Sequence, residues 1–88
     1  MEQINCWKSE SLLMVKQSHR INNKYTFNYY VIDINSGDTQ NISDDHFEHL
    51  LSVLNTQLLE PKDQEKLITW VKWQLQKHIY RMDDLYMI

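Results

Sequence analysis

The chain predicts one α+β domain spanning residues 1–88: a three-stranded antiparallel β-meander, four-stranded if the N-terminal residues join it, then a C-terminal antiparallel two-helix hairpin packed on one sheet face. Three observations carry that prediction. Up to Ile42 the apolar residues are largely β-branched or aromatic, in short runs bounded by turn residues, as in strands. From Ser43 onward they recur three and four apart, the period of a helix face. The only glycine in the chain sits between the two regimes, in Asn35-Ser36-Gly37-Asp38, a composition that turns favour because glycine reaches positive φ and Asn and Asp bond their own backbone.

Each element has a local cause. In residues 1–10, Ile4, Cys6 and Lys8 alternate with Asn5 and Trp7, which fits either an edge strand or an arm. Residues 11–21 read as a strand, and Asn22-Asn23 as its turn, since asparagine tolerates φ > 0. Residues 24–34 are the clearest strand, dense in Tyr, Phe, Val and Ile. Thr39 to Ile42 completes the meander of residues 11–42. Ser43 is a helix N-cap, and Asp44 and Asp45 suit the positive end of the helix dipole. Phe47, Leu50, Leu51, Leu54 and Leu58 then form a stripe over residues 43–59. Pro61 fits a first helical turn but not an interior, so a second helix is expected over 61–82. Its stripe is Leu67, Val71, Leu75, His78, Ile79 and Met82, flanked by Trp70 and Trp73. Residues 83–88 form an apolar tail that either returns to the core or helps bind.

Length and composition bound the function. The 88 residues leave no room for a second core, and 42% hydrophobic with 24% charged residues is ordinary for a globular chain. Cys6 is the only cysteine, so no internal disulfide forms, and a reducing cytoplasm is expected. The first residues lack a basic and an apolar region, and no run approaches the roughly 18 apolar residues of a spanning helix, so neither a signal peptide nor a membrane contact is expected. The net charge is −3 but uneven. Residues 43–60 carry Asp44, Asp45, Glu48 and Glu60 without a basic partner, whereas Lys62, Lys66, Lys72, Lys77 and Arg81 follow.

No grouping for catalysis emerges. One glycine cannot build a phosphate-cradling loop, and no serine lies in a nucleophile-elbow context. Asp44-Asp45 and Asp83-Asp84 are sequence neighbours, not carboxylates facing each other across a cleft. His46 and His49 share a helical face, but a zinc site needs further ligands that nothing places there. The expectation is no enzyme, no metal and no cofactor.

The second strand is more informative. Tyr25, Phe27, Tyr29 and Val31 point one way, and Thr26, Asn28, Tyr30, Ile32 and Ile34 the other. Neither face is polar throughout, as one face should be if helices cover only one side. A surplus aromatic surface therefore remains, of the kind that anchors interfaces. In size, acidity and this surplus surface the chain is similar in type to small proteins that phages and mobile elements use to block larger machines, such as anti-CRISPR and other anti-defence inhibitors, or to toxin immunity proteins. That similarity implies stoichiometric binding of a larger protein target through Tyr25, Phe27 and Tyr29, with Asp44, Asp45 and Glu48 steering a basic partner. Two alternatives stay open. The same aromatics with Arg20 and Lys24, or a basic second helix with Lys62 and Lys66, would suit nucleic acid, whose bases stack on aromatic strands. A homodimer through the second sheet face would make the chain a structural subunit.

Overall fold

A computed structural model describes residues 2–54, 56–59 and 61–86. The α+β class holds: consecutive antiparallel strands precede two C-terminal helices that pack against them. The elements are β1 (Glu2–Ser9), β2 (Leu12–Ile21), β3 (Lys24–Asp33), β4 (Thr39–Ile42), α1 (Asp44–Val53), β5 (Gln57–Leu58) and α2 (Pro61–Tyr86). The sheet order is β4-β3-β2-β1-β5, with every neighbouring pair antiparallel. Among the described residues no helix is long and apolar enough to cross a membrane.

The turns follow from their residues. Asn22 and Asn23 adopt φ 51 and 63, the pair of left-handed positions that a two-residue hairpin needs to match strand twist. Between β3 and β4, Asp33 Oδ1 accepts from the N–H groups of Asn35 and Ser36 at 2.8 and 3.1 Å. Gly37, at φ 78, donates its N–H to the Asp33 carbonyl at 2.7 Å. The N-terminal residues are a full strand, not an arm. β1 pairs along its length with β2 and takes β5 on its other side.

The helices correct the expectation of a hairpin on one face. Register puts Cys6, Val15 and Tyr30 on one side of the sheet and Trp7, Met14 and Tyr29 on the other. On the first side Ile4, Cys6, Leu13, Val15, Tyr30 and Ile32 pack with Val71 and Leu75 of α2. On the second, Phe47 of α1 lies against Trp7 and Tyr29, with ring centroids 5.6 and 4.8 Å apart. The sheet is thus sandwiched between α1 and α2, and the two apolar faces of β3 are what demand it.

The connection explains how. α1 stops at Val53 instead of continuing to residue 59, because Leu54 turns extended (φ −87, ψ 140). The chain then runs along the sheet edge as β5, where Leu59 N–H donates to the Cys6 carbonyl at 3.1 Å. It passes around that edge and emerges on the opposite face as α2. Leu58, expected in the stripe of helix 1, is instead a strand residue and 58% exposed. Helix 2 continues past residue 82 to Tyr86, taking up part of the expected tail, while Met87 and Ile88 lie outside the described residues.

Candidate functional site

β2 and β3 outlast α1, and that mismatch creates the site. α1 covers the middle of its sheet face through Phe47, the one α1 side chain that is buried. Toward the hairpin tip the same face is bare. There β2 presents Lys16, Ser18 and Arg20 opposite Tyr29, Phe27 and Tyr25 of β3. Tyr25 and Phe27 are 61% and 47% exposed, a placement that leaves apolar rings in water. Their rings lie nearly parallel, 14° apart with centroids at 6.3 Å.

Cations accompany the rings. Lys16 Nζ lies 4.8 Å from the Phe27 centroid and 6.0 Å from that of Tyr29. The Arg20 guanidinium lies 6.0 Å from the Tyr25 centroid and also donates to Asn23 Oδ1 at 3.1 Å. Such cation–π contacts hold the long side chains close to the aromatic surface, each worth about 0.5–1 kcal/mol at exposed sites.

Acids border the other end. Ser43 Oγ accepts from the His46 N–H at 3.1 Å and fixes the start of α1, which brings Asp44 next to β3. The Asp44 carboxylate lies close enough to the Tyr29 hydroxyl to act on its ionisation. Burial first, then this carboxylate and Glu48, push the Tyr29 phenol above its ordinary value of 10.0. The platform therefore runs from a basic tip, Arg20, to an acidic border, Asp44 and Glu48.

Of the residues expected to bind a partner, Tyr25 and Phe27 stand exposed on one face as anticipated. Tyr29 shares that face, but its ring packs beside Phe47 and it serves α1 as much as the surface. Asp44 and Glu48 sit close enough to Tyr29 to act on its ionisation, and Asp45 is exposed in the same first turn. The basic residues expected for nucleic acid are not gathered. Arg20 joins the platform, Lys24 has the opposite strand parity, and the exposed Lys62 and Lys66 lie on α2, across the sheet. Lys16 was not among the anticipated residues. Counting pairs back from Asn22-Asn23 would have found it, because that turn sets Lys16 opposite Tyr29.

A second concavity lies between the β3–β4 turn and α2, with a volume near 290 Å³ and a lining that includes Asp38, Gln40, Gln74, Lys77 and His78. His78 Nε2 pairs with Asn41 Oδ1 and its ring stands edge-on to Tyr30 at 6.3 Å, so this histidine joins α2 to the sheet. Cys6 is wholly buried, and burial raises its thiol from 9.0 to about 11, which keeps it protonated. Among the described residues no group of three or more His, Cys, Asp or Glu side chains is placed to hold a metal ion. The platform offers flat apolar area with Arg20 at its tip, Lys16 along its length beside Phe27 and Tyr29, and carboxylates at its inner border.

No protein-family model matches the chain, and no curated protein or solved structure matches it significantly.

Proposed function

We propose that this protein is a non-enzymatic, cytoplasmic binding module that acts as a stoichiometric inhibitor of a larger protein, in the manner of anti-defence or immunity proteins. The exposed Tyr25–Phe27 pair with its flanking charges carries the reading. Burying two such rings in a partner's pocket releases apolar surface from water at about 25 cal/mol per Å², and aromatic side chains supply a disproportionate share of interface energy.

The charges favour a protein over a nucleic acid. A phosphate backbone following the platform from Arg20 past Lys16 would meet Asp44 and Glu48 beside Tyr29, and their repulsion opposes the phosphate–cation contacts on which polyanion affinity rests. A protein surface can carry both signs and match this gradient, which also orients it.

The test is the folded double variant Tyr25→Ala/Phe27→Ala. Tagged protein is recovered from cells that produce it, with and without nuclease, and co-purifying chains are identified by mass spectrometry. The expected result is one dominant protein at equal stoichiometry that survives nuclease and is lost with the double variant. Equal capture by the variant refutes the platform, and loss of all partners on nuclease transfers the reading to nucleic acid.

A further inference from the structure

β3 is longer than its neighbour β4, and the overhang falls where the platform lies. β4 pairs only with Tyr29 to Ile32. Lys24 to Asn28 therefore have β2 on one side and, among the described residues, no strand on the other. The direction of their backbone groups follows from the hydrogen bonds further along. Ile34 N–H donates to the Ser11 carbonyl, toward β2, whereas Asp33 N–H donates to the Asp38 carbonyl, toward β4. Main-chain groups alternate along a strand, so even-numbered residues of β3 bond to β2 and odd-numbered residues face the outer edge. The two-residue turn at Asn22-Asn23 gives the same parity, because the residues flanking such a turn, Ile21 and Lys24, form a bonded pair. Tyr25 and Phe27 consequently each present an N–H and a C=O to the open edge.

Folded proteins normally blunt such an edge with proline, a bulge or charged residues. Here the edge reads Tyr25-Thr26-Phe27-Asn28, all exposed, the first three of high strand propensity, with its one charge, Lys24, at the tip. The residues whose backbone is open are also those whose rings form the platform. One added strand would satisfy both: its main chain would bond to Tyr25 and Phe27, and the side chains opposite them would lie on the platform face beside the two rings.

We propose that the open edge of β3 captures an extended segment of the target by β-strand addition, the segment presenting apolar side chains at alternate positions toward Tyr25 and Phe27. This inference rests on the target-binding reading above and specifies its mode. A second copy of the chain fits the edge less well. Pairing that used both open residues would set Tyr25 against Phe27 of the copy, and hence Lys24 of the copy against Asn28. That position adjoins Ile42, which β4 already places opposite Tyr29, so the hairpin tip of the copy would run into β4. A foreign segment carries no hairpin tip and leaves the edge freely at that point.

The test selects binders of the full-length protein from a random octapeptide display library and reads each complex by amide hydrogen exchange. In the free protein, monomeric by mass, the Tyr25 and Phe27 amides should exchange freely while those of Thr26 and Asn28 are protected. Bound peptide should slow exchange at Tyr25 and Phe27 by about tenfold or more, since each enters a new ladder bond. Phe27→Pro lacks the outward N–H but leaves the β2 ladder intact, so it should bind selected peptides about tenfold more weakly than Phe27→Ala. The exchange readout needs no variant and stands even where Phe27→Pro misfolds. Peptides that leave both amides exchanging freely, with the two variants equal but weaker than the parent, overturn strand addition and leave the platform reading standing. Binding indifferent to both substitutions overturns the platform too. A doubled mass with both amides already protected, or a selection without binders, overturns the proposal.

Discussion

Truncating Phe47 to alanine removes the side chain that docks α1. Phe47 is 1% exposed and is the buried residue of that helix, with Trp7 and Tyr29 around it. Phe→Ala changes at buried sites cost about 3–5 kcal/mol, the lost transfer energy plus the cavity left behind. At about 0.05–0.15 kcal/mol per residue, a chain of 88 residues holds roughly 4–13 kcal/mol in all, so the loss is a large share of the total. The molecule has a cheaper response than global unfolding. The core between α2 and the sheet contains Ile4, Cys6, Leu13, Val15 and Ile32 on the other face and does not include Phe47. α1 is ten residues long, too short to persist undocked in water. The expected outcome of Phe47→Ala is therefore local melting of α1, with its amides exchanging near the unfolded rate while those of β2 and α2 stay protected. Urea unfolding should show a midpoint lowered by the equivalent of about 3 kcal/mol or less. The Tyr29 phenol, freed from Asp44 and Glu48, should titrate closer to its ordinary value. A loss below about 1 kcal/mol with α1 still protected would mean that half-buried Leu50 and Leu51 hold the helix, and would refute the single-pin argument.

Three further outcomes follow from particular residues. Gly37→Ala should destabilise by about 1–3 kcal/mol in thermal melts, because φ 78 strains any side chain and the new Cβ would stand 3.0 Å from Gln74 Oε1. Ser43→Ala should cost about 1 kcal/mol, through the lost bond to the His46 N–H, and fray the first turn of α1 in exchange measurements. Cys6 is protonated in the fold up to about 11 against 9.0 when unfolded, so the unfolded state loses its proton first as pH rises. Its stabilising contribution is complete below pH 9.0 and lost as pH rises through about 11; urea midpoints should fall across that window, and Cys6→Ala should flatten the fall.

Much of the site was legible because strand alternation is local. Tyr25 and Phe27 share a face whatever the rest of the chain does, and Asp44 follows a cap that Ser43 defines by itself. Lys16 needed the register set by Asn22-Asn23, one step beyond composition. Tyr29 could not be apportioned from its strand alone, since the ring that competes for it belongs to Phe47, 18 positions away in the numbering.

The elements were decided by short-range chemistry written into single residues. Asn22-Asn23 and Gly37 supply positive φ, Ser43 caps α1, Pro61 opens α2, and the crowding of Tyr, Phe, Val and Ile in β3 suits a pleated surface. Even the surplus of apolar residues on both faces of β3 was visible, but not what would cover it. Tertiary structure decided that, by ending α1 at Val53 and pairing Gln57 and Leu58 with Lys8 and Trp7. Two residues of strand carry no pattern of their own; they are strand because the edge of β1 offers unpaired backbone groups that no solvent-exposed helix turn would satisfy. That pairing carries the chain around the sheet edge, sends α2 to the opposite face from α1, and leaves Tyr25 and Phe27 as the stretch that neither helix reaches.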